Sequence, residues 1–398
     1  MIDFTFSEEQ EILRDSVKRF AEKEIAPRVP EMIEKRRIPR EIMDGLRKQN
    51  LLGMTVPEKY GGMGADAVTT GIAVEEIAKV DPTASIPVMF LVDNAWSYLL
   101  SKYATDGFKE KVIPKIAAGK ILTGIASTEP NFGSDIGSMT TVADKKGSDY
   151  IINGEKAYIS LVKDIKEIGG GYVTVAKTDK SKSTSGVSLF YVPHSDEYME
   201  LTPLEEMGRE GSTWGSIRFN DCPVPEENLI GTLNGGFKIV HLGFEFARAL
   251  IAVISAASAT TALGNGMEYM KERKAFGQPI GKFQGLQFQL ADHVARMEAA
   301  RTLGYKALWM YDMEQKEGRF SRFEVSNEVA IAKLLSTVWG FDAINDALQW
   351  HGAYGYTKYN PQELALRAIR SFQLAEGSRE VMKTIIAREA LGKEFMKS

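Results

Sequence analysis

Glu376 is the first residue whose surroundings suggest chemistry. It lies in the segment Leu-Ala-Glu-Gly-Ser at residues 374–378, where small neighbours leave its backbone N–H free and let its side chain reach into a cavity. A base that removes a proton beside a polarised carbonyl needs both features. Because a glutamate taken alone is more often a solvated surface group, the interpretation depends on a second segment, Thr-Glu-Pro-Asn-Phe-Gly-Ser-Asp at residues 128–135.

The elements that would position these segments change character twice along the chain. Helical spacing begins at a capping box, Ser-Glu-Glu-Gln at residues 7–10, and continues to about residue 118 with a break in the Pro- and Gly-rich residues 57–64. Short β-rich runs then follow, separated by Gly, Asp and Ser turns, and predict a barrel or sandwich. The clearest of them are residues 150–160, 171–176 and 187–192.

Helical periodicity returns after Gly235-Gly236 and predicts a bundle of four long helices. These helices are expected at residues 237–273, 283–316, 322–350 and 378–391. The fold class is therefore α+β, mainly α. We expect an N-terminal helical domain at residues 1–120, a central β domain at 121–232 and a C-terminal four-helix bundle at 233–398.

Composition excludes several classes of function. The net charge is −4, from 49 Lys and Arg against 53 Asp and Glu, so no basic surface is expected for nucleic acid. Cys222 is the only cysteine, and the four histidines are dispersed, so neither a disulfide nor a metal site is expected. The start, Met1-Ile2-Asp3-Phe4, does not resemble a leader, and no uninterrupted apolar run is long enough for a membrane span. A soluble, cytoplasmic protein is the expectation.

Six motifs in order give the chain a resemblance to the acyl-CoA dehydrogenases, over essentially its whole length. They lie at residues 57–64, 128–135, 152–156 (Ile-Asn-Gly-Glu-Lys), 272–277 (Glu-Arg-Lys-Ala-Phe-Gly), 352–356 (Gly-Ala-Tyr-Gly-Tyr) and 376–378. Members of that family have a helical domain, a β domain and a four-helix bundle. They typically form homotetramers with one FAD in each subunit and pass electrons to an electron-transferring flavoprotein.

The resemblance implies a role for Glu376 as the base that removes the α-proton of an acyl-CoA thioester while flavin N5 accepts hydride from the β-carbon. It implies that the backbone N–H of Glu376 helps to polarise the thioester carbonyl, and Gly377 fits that need. Some relatives carry the base on the first bundle helix. There the sequence reads Glu245-Phe246-Ala247-Arg248, and Ala247 occupies the alternative position. Glu245, Arg248 and Gly377 are predicted substrate-side residues.

The resemblance also implies a set of FAD contacts. Thr128 and Ser134 match hydroxyls that bond the flavin pyrimidine edge and the pyrophosphate, while Tyr158 and Ser160 replace the usual tryptophan and threonine beside the ring. The other predicted contacts are Arg273, Phe276, Gln284, Gln349, Ala353 and Ser378, of which Arg273, Phe276 and Gln284 would reach across a subunit interface. After Ser160 the chain reads Leu-Val-Lys-Asp where relatives usually have Asn-Gly or Asn-Ala, so this side of the flavin departs from the family.

The predicted acyl pocket involves the segment at residues 85–96. Ser85 stands where relatives that act on glutaryl-CoA place an arginine, so a dicarboxylic substrate is disfavoured. Phe90 and Trp96 favour a short branched, cyclic or aromatic acyl group over a long straight chain, and core packing is an equal alternative for Met89 and Trp96. Asp93 is either a capped structural acid or a second acid in the pocket, as in relatives that oxidise alicyclic acyl-CoAs during anaerobic aromatic degradation.

Other functions on the same fold remain open at this point. They are an acyl-CoA oxidase, an enoyl-CoA reductase running in the opposite direction, and a catalytically silent acyl-CoA-binding protein. Glu376 argues against the silent protein. A nicotinamide-binding motif is unsupported, because Gly264-Asn265-Gly266 lies in a helical pattern without a preceding strand.

Overall fold

Six helices form the first part of the chain in the computed structural model, which describes residues 5–396. Met1, Ile2, Asp3 and Phe4, to which the prediction about a leader applies, lie outside the described residues. Ser7 and Gln10 form the predicted capping box, each backbone N–H donating to the other side chain at 3.1 and 3.2 Å. The helices are α1 Glu8–Phe20, α2 Val29–Lys35, α3 Arg40–Lys48, α4 Ala67–Val80, α5 Ser85–Tyr103 and α6 Asp106–Ala117.

An eight-stranded mixed sheet occupies the middle of the chain, as the β-rich runs predicted. Its strands are β1 Leu122–Ala126, β2 Val142–Lys146, β3 Asp149–Ser160, β4 Gly170–Lys177, β5 Val187–Pro193, β6 Met199–Pro203, β7 Trp214–Pro225 and β8 Leu229–Ile230. The hydrogen-bonded order is β6-β7-β3-β2-β4-β5-β8, and β1 pairs in parallel with β4. A short helix, α7 Val162–Ile168, follows Ser160 and was not predicted.

Helices return at Gly236 and continue nearly to the end. They are α8 Gly236–Glu272, α9 Gln284–Glu317, α10 Arg322–Trp350, α11 Pro361–Arg370 and α12 Arg379–Leu391, with a two-stranded hairpin, β9 Lys274–Ala275 and β10 Gln278–Pro279, between α8 and α9. α11 was not predicted. Its start is fixed locally, because the Asn360 side chain accepts a hydrogen bond from the Gln362 N–H at 2.9 Å and Pro361 occupies the first turn.

α8 is the central helix of the molecule. It packs against α9 and α10, and also against α4 and α5 of the N-terminal helices, while α10 packs against α12 and α5 packs against β1. The segment between α11 and α12, which contains Glu376, is therefore held near α8 and α10. The change from helix to sheet and back places all three predicted domains in one compact arrangement, although their bounds stay predictions.

The apolar character of α8 corrects one expectation from the sequence. By length and composition this 37-residue helix is apolar enough to cross a membrane, whereas no such run had been predicted. Its most apolar window is 83% buried inside the protein. Neighbouring helices cover this surface, so α8 is a core helix.

Candidate active site

Glu376 lies in a tight loop between the 3₁₀ turn Ser371–Gln373 and α12. Its backbone has a left-handed conformation, with φ of 56°, and Gly377 follows with φ of 103°. Residues other than glycine adopt this conformation at a cost, and such strain is concentrated at functional sites. The loop therefore needs specific partners to hold it.

Two cations from neighbouring helices supply those partners. Arg248 Nε of α8 donates to the Glu376 carbonyl oxygen at 2.6 Å. Lys333 Nζ of α10 donates to the carbonyl oxygen of Ala375 at 2.8 Å and also to that of Gly377. Both side chains are buried. Three consecutive carbonyl groups are thus held by two buried positive charges.

The Glu376 carboxylate has an oxygen without a partner and a raised pKa. Its Oε2 is buried, and within residues 5–396 it has no hydrogen-bond partner. Burial raises the pKa of Glu376 above its ordinary range, while the charges of Arg248 and Lys333 oppose the rise. A carboxylate with a raised pKa and a free oxygen is suited to accept a proton from a bound molecule.

Glu245 and Arg248 lie one turn apart on α8 and both are buried. Glu245 Oε1 is 3.5 Å from an Arg322 guanidinium nitrogen, and its Oε2 is buried without a partner in the described chain. Burial raises the pKa of Glu245, and Arg322 and Arg248 oppose the rise. The unpaired oxygen fits the predicted substrate-side role.

An aromatic cluster connects Arg248 with α5. The Phe244 ring contacts Trp96 edge-on, with centroids 5.4 Å apart, and lies 5.7 Å from the Arg248 guanidinium carbon. His241 lies 5.9 Å from the same ring, and burial lowers its pKa to about 4. Phe90 is fully buried on α5. The surroundings of the Arg248 side chain toward α5 are therefore bulky and largely buried.

The Asp93 carboxylate is bonded to two separate parts of the backbone. One of its oxygens accepts from the Gly53 N–H at 2.9 Å and the other from the Thr123 N–H at 3.1 Å. Burial raises its pKa to about 7, against the effect of these two hydrogen bonds. Because both oxygens join α5 to a turn and to β1, these contacts favour the capped structural acid over a second acid in the pocket, and a substrate-side role for Asp93 stays a prediction.

Four predicted FAD contacts lie together on the central sheet. Thr128 and Ser134 are in the loop between β1 and β2, and Tyr158 and Ser160 are at the end of β3. The Ala157 N–H donates to the Thr128 carbonyl at 2.8 Å, which joins the two segments. Tyr158 is 52% exposed and has a left-handed backbone with φ of 63°. The ring of this strained residue contacts Trp214, with centroids 5.2 Å apart, and about half of the side chain stays exposed.

A buried ion pair holds the loop that carries Thr128 and Ser134. Lys156 Nζ is 3.0 Å from Glu129 Oε1 and donates to the Ser127 carbonyl, while Glu129 also accepts from the backbone N–H groups of Thr140 and Thr141. Burial alone would raise the pKa of Glu129, but Lys156 and these hydrogen bonds lower it to about 2. The pair thus clamps both ends of the loop to β3.

The remaining predicted FAD contacts lie at one end of the bundle and at the start of α12. Arg273 caps the end of α8, Phe276 occupies the hairpin turn, Gln284 begins α9, and Gln349 and Ala353 lie around the end of α10. All five are exposed, Phe276 by 95%. Ser378 caps α12, accepting from the Val381 N–H at 3.4 Å. No hydrogen bond, ion pair or ring contact within residues 5–396 joins the bundle-end residues to Glu376.

Sequence reasoning missed several residues of this site. Lys333 had an indication, as the one charge in the apolar run 329–335 of α10. No sequence pattern indicated Arg209. Its Nη1 donates to Ser160 Oγ at 3.3 Å, and its guanidinium lies 5.9 Å from the Trp214 ring, which contacts Tyr158. Only the folding of the loop before β7 brings Arg209 there.

Comparisons with known proteins agree with this arrangement. Three domain families match the chain, described as acyl-CoA dehydrogenase N-terminal domain at residues 7–120, middle domain at 124–222 and C-terminal domain at 234–391. The probable acyl-CoA dehydrogenase YngJ of Bacillus subtilis is 33% identical over 98% of this chain and 100% of its own length. A 3-(aryl)acrylate reductase of Clostridium sporogenes is 32% identical over 97% of this chain and 99% of its own.

Solved structures show the same fold. Butyryl-CoA dehydrogenase from Megasphaera elsdenii superposes with a TM-score of 0.90 at 30% identity, covering 98% of this chain and 100% of that one. A chain from a study of the electron transferring flavoprotein of Acidaminococcus fermentans and flavin-based electron bifurcation superposes with a TM-score of 0.91 at 33% identity, covering 98% and 100%. The match of all three domain families over nearly the whole chain shows that this protein belongs to the acyl-CoA dehydrogenase family, oxidoreductases that act on CH–CH bonds.

Proposed function

We propose that the protein catalyses the α,β-dehydrogenation of an acyl-CoA thioester with Glu376 as the base. One observation carries the proposal: the Glu376 Oε2 is buried and unpartnered on a loop that two cations hold in a strained conformation. A buried carboxylate without a partner is costly, so a bound molecule that supplies the missing contact accounts for it.

In the proposed reaction the substrate loses one proton and one hydride. The Glu376 carboxylate takes the proton from the α-carbon, and a carbon–carbon double bond forms as hydride leaves the β-carbon. FAD, when bound, supplies the hydride acceptor. The Glu376 N–H is directed away from the carbonyl that Lys333 holds and is free to donate to the thioester oxygen. This donation stabilises the negative charge that develops there.

The chain's own residues fit FAD. Within residues 5–396, no hydrogen bond involves the side-chain hydroxyls of Thr128 or Ser134, so both can bond the flavin or its phosphates. The half-exposed ring of Tyr158 offers a surface for stacking. Arg273 has the planar, bidentate geometry that suits a diphosphate. We assign the FAD site to these residues, with Ser160, Phe276, Gln284, Gln349, Ala353 and Ser378 completing it.

We further infer a homotetramer in the cytoplasm that passes electrons to an electron-transferring flavoprotein. The predicted FAD contacts at the bundle end are exposed, and within residues 5–396 no hydrogen bond, ion pair or ring contact joins them to Glu376. This placement is consistent with an FAD that is shared between subunits. The similarity to a chain from a study of electron transferring flavoprotein supports the partner.

The acyl group that we propose is short and branched, cyclic or aromatic. Trp96 and Phe244 pack edge-on beside Arg248, whose guanidinium holds the Glu376 carbonyl, and Phe90 is buried on the same helix as Trp96. Bulky rings shorten a pocket and favour flat or compact groups over long straight chains. The 32% identity to a 3-(aryl)acrylate reductase favours an aromatic acyl group in particular.

The same relative supports a second candidate, an enoyl-CoA reductase. In that direction Glu376 would deliver the proton to the α-carbon, and the same residues would serve. The two candidates differ in which ligand changes the oxidation state of the flavin. Saturated acyl-CoA bleaches oxidised flavin in a dehydrogenase, whereas enoyl-CoA recolours reduced flavin in a reductase.

The test is the visible spectrum of the purified protein during anaerobic addition of acyl-CoAs, from butyryl and isobutyryl to cyclohexanecarboxyl and phenylpropionyl. We expect one thioester to bleach bound flavin, and Glu376→Gln to abolish bleaching. Glu380→Gln is the matched control, because Glu380 is an exposed glutamate on α12 four residues away. Recolouring by enoyl-CoA without bleaching would favour the reductase, and a protein that binds no FAD would contradict both candidates.

A further inference from the structure

Lys333 is a buried lysine without a carboxylate partner. It is 1% exposed on α10, and the ion pairs of residues 5–396 do not include it. Buried charges are normally paired, yet its donors instead reach the carbonyl oxygens of Ala375 and Gly377. The buried ammonium group of Lys333 therefore binds the loop backbone in place of a carboxylate.

The geometry shows what this contact fixes. The peptide bond between Ala375 and Glu376 is trans, so its carbonyl and the Glu376 N–H point in opposite directions. By holding the Ala375 carbonyl, Lys333 makes the Glu376 N–H point away from the lysine, at the opposite edge of the same planar peptide unit. No hydrogen bond from that N–H to any part of the described chain is present. The contact with the Gly377 carbonyl fixes the Gly377–Ser378 peptide in the same way.

We propose that Lys333 is a positioning residue, which holds both the N–H and the carboxylate of Glu376 in the geometry needed at the thioester. Arg248 holds the Glu376 carbonyl between the two that Lys333 holds, so the loop cannot rotate without breaking three contacts. The positive charge behind the peptide also polarises the N–H. This inference rests on the proposed function of Glu376.

Burial, with the nearby Arg248, lowers the pKa of Lys333 to about 7, so its charge acts on Glu376 below that pH and gives this role a measurable sign. Lys333 and Arg248 both oppose the rise in the pKa of Glu376 that burial causes. Removal of one positive charge therefore raises the pKa of Glu376 further. The other charged and titratable groups that act on this cluster are His241 and Glu245 of α8, Arg322 of α10 and Arg388 of α12, and they are unchanged in the variants below.

The experiment compares Lys333→Met, Lys333→Gln and Lys333→Arg with the wild type, all loaded with FAD. The rate of flavin bleaching by the reactive acyl-CoA is measured against pH, together with exchange of its α-proton into D₂O. We expect Lys333→Met to lower both rates about 100-fold, as loss of one preorganised donor does. We also expect the rising limb of its pH–rate profile to move to higher pH. Lys333→Arg should restore most of the rate and the wild-type limb.

Lys306→Met is the matched control, because Lys306 is a half-exposed lysine on the adjoining α9 that pairs with Glu328. Its rate per bound FAD and its pH limb should equal those of the wild type. A wild-type rate and limb in Lys333→Met would overturn the inference. If that variant does not bind FAD, the test passes to Lys333→Gln, which keeps a donor without the charge: a rising limb of its pH–rate profile at the wild-type pH would overturn the inference.

The outcomes separate this inference from the proposed function. If Glu376→Gln is still bleached, the proposed function fails and the role of Lys333 fails with it. If Glu376→Gln is inactive and the uncharged Lys333 variants behave as the wild type, the inference alone fails. A lysine that only stabilises the fold would change FAD content and thermal stability without moving the pH limb.

Discussion

The protonation state of Glu376 controls whether it can accept a proton. Burial raises its pKa above the ordinary glutamate value of 4.5, and only the ionised carboxylate is a base. We therefore predict that the rate of flavin bleaching increases with pH along a limb centred above 4.5. Single-turnover rates measured across the acid and neutral range check this. A rate that is already constant well below that value would contradict it.

Asp93 allows a second prediction at the residue scale. Both of its oxygens accept backbone N–H groups, and Asp93→Asn replaces one acceptor with an NH₂ group that faces a donor. We expect a loss of about 1–3 kcal/mol in the free energy of unfolding, the cost of a buried donor left unpaired. The rate of bleaching per bound FAD should stay within a few-fold of the wild type.

Urea unfolding and single-turnover kinetics on the same preparation measure these two quantities. A stable Asp93→Asn protein that has lost bleaching would restore Asp93 to the list of reacting groups. The sequence left both roles of Asp93 open, because an acid in an apolar helix face looks the same whether it meets a substrate or two backbone amides. Only the approach of the Gly53 turn and of β1 distinguishes them.

The clamp between Glu129 and Lys156 joins two elements of the central sheet. We predict that Glu129→Gln lowers the free energy of unfolding by about 3–5 kcal/mol, because it leaves the Lys156 ammonium buried without its partner. The Glu129→Gln/Lys156→Met double variant should cost less than Glu129→Gln alone. FAD affinity should fall with Glu129→Gln, because the loop that carries Thr128 and Ser134 loses its support. Chemical denaturation and FAD titration measure the two effects.

The pair also gives the protein a dependence on pH. The folded-state pKa of Glu129 is depressed to about 2, below its ordinary 4.5. Its contribution to stability is therefore present above 4.5 and is lost as the pH falls toward 2. If the double variant proves less stable than Glu129→Gln, the assignment of the cost to an unpaired ammonium is wrong.

Two glycines of α8 test the packing of this helix against α5. A Cβ at Gly243 would lie 2.3 Å from the buried Trp96 ring, whereas a Cβ at Gly264 meets no atom within 4 Å. We predict that Gly243→Ala destabilises the protein by about 1–3 kcal/mol through overpacking. Gly264→Ala, the control in the same helix, should stabilise it by about 0.5–1 kcal/mol. Thermal unfolding of the two variants measures these changes in stability. If Gly243→Ala stabilised the protein, the Trp96 ring would have to move aside without cost.

The long elements were predicted well and the short ones were not. The bounds of α8, α9 and α10 agree with the predicted segments to within one residue, because a long helix repeats its apolar pattern over many turns. α7 and α11 have too few turns for such a pattern. The departure from the family after Ser160 was visible in the sequence, but that these residues form a helix was not.

At the scale of the whole molecule, we propose that a second subunit completes the FAD site. Arg273 is exposed at the bundle end. We predict that Arg273→Gln weakens FAD binding about tenfold or more, because a charge-assisted hydrogen bond contributes about 1.5–3 kcal/mol. The control is Lys271→Gln, at an exposed lysine paired with Glu268 in the same last turn of α8. FAD titration with light scattering separates loss of cofactor from loss of the tetramer.

An unchanged FAD affinity in Arg273→Gln would contradict the assignment of Arg273 to the cofactor. The sequence placed the charged and hydroxyl groups of this site by resemblance, residue by residue. It did not indicate that Lys333 and Arg248, 85 positions apart in the chain, meet at one loop. Such meetings depend on how α8 and α10 pack, which no local pattern encodes.

The two cations that hold the loop around position 376 contact only its main-chain oxygens, which every amino acid possesses. The scaffold is therefore indifferent to which side chain stands there, provided that it tolerates a left-handed backbone. Glu376→Gly meets that condition. It leaves a space of carboxylate shape while the contacts of Arg248 and Lys333 with the loop stay in place. Added formate or acetate should enter that space and restore turnover in proportion to its concentration, so that the reacting group becomes an exchangeable part of the protein.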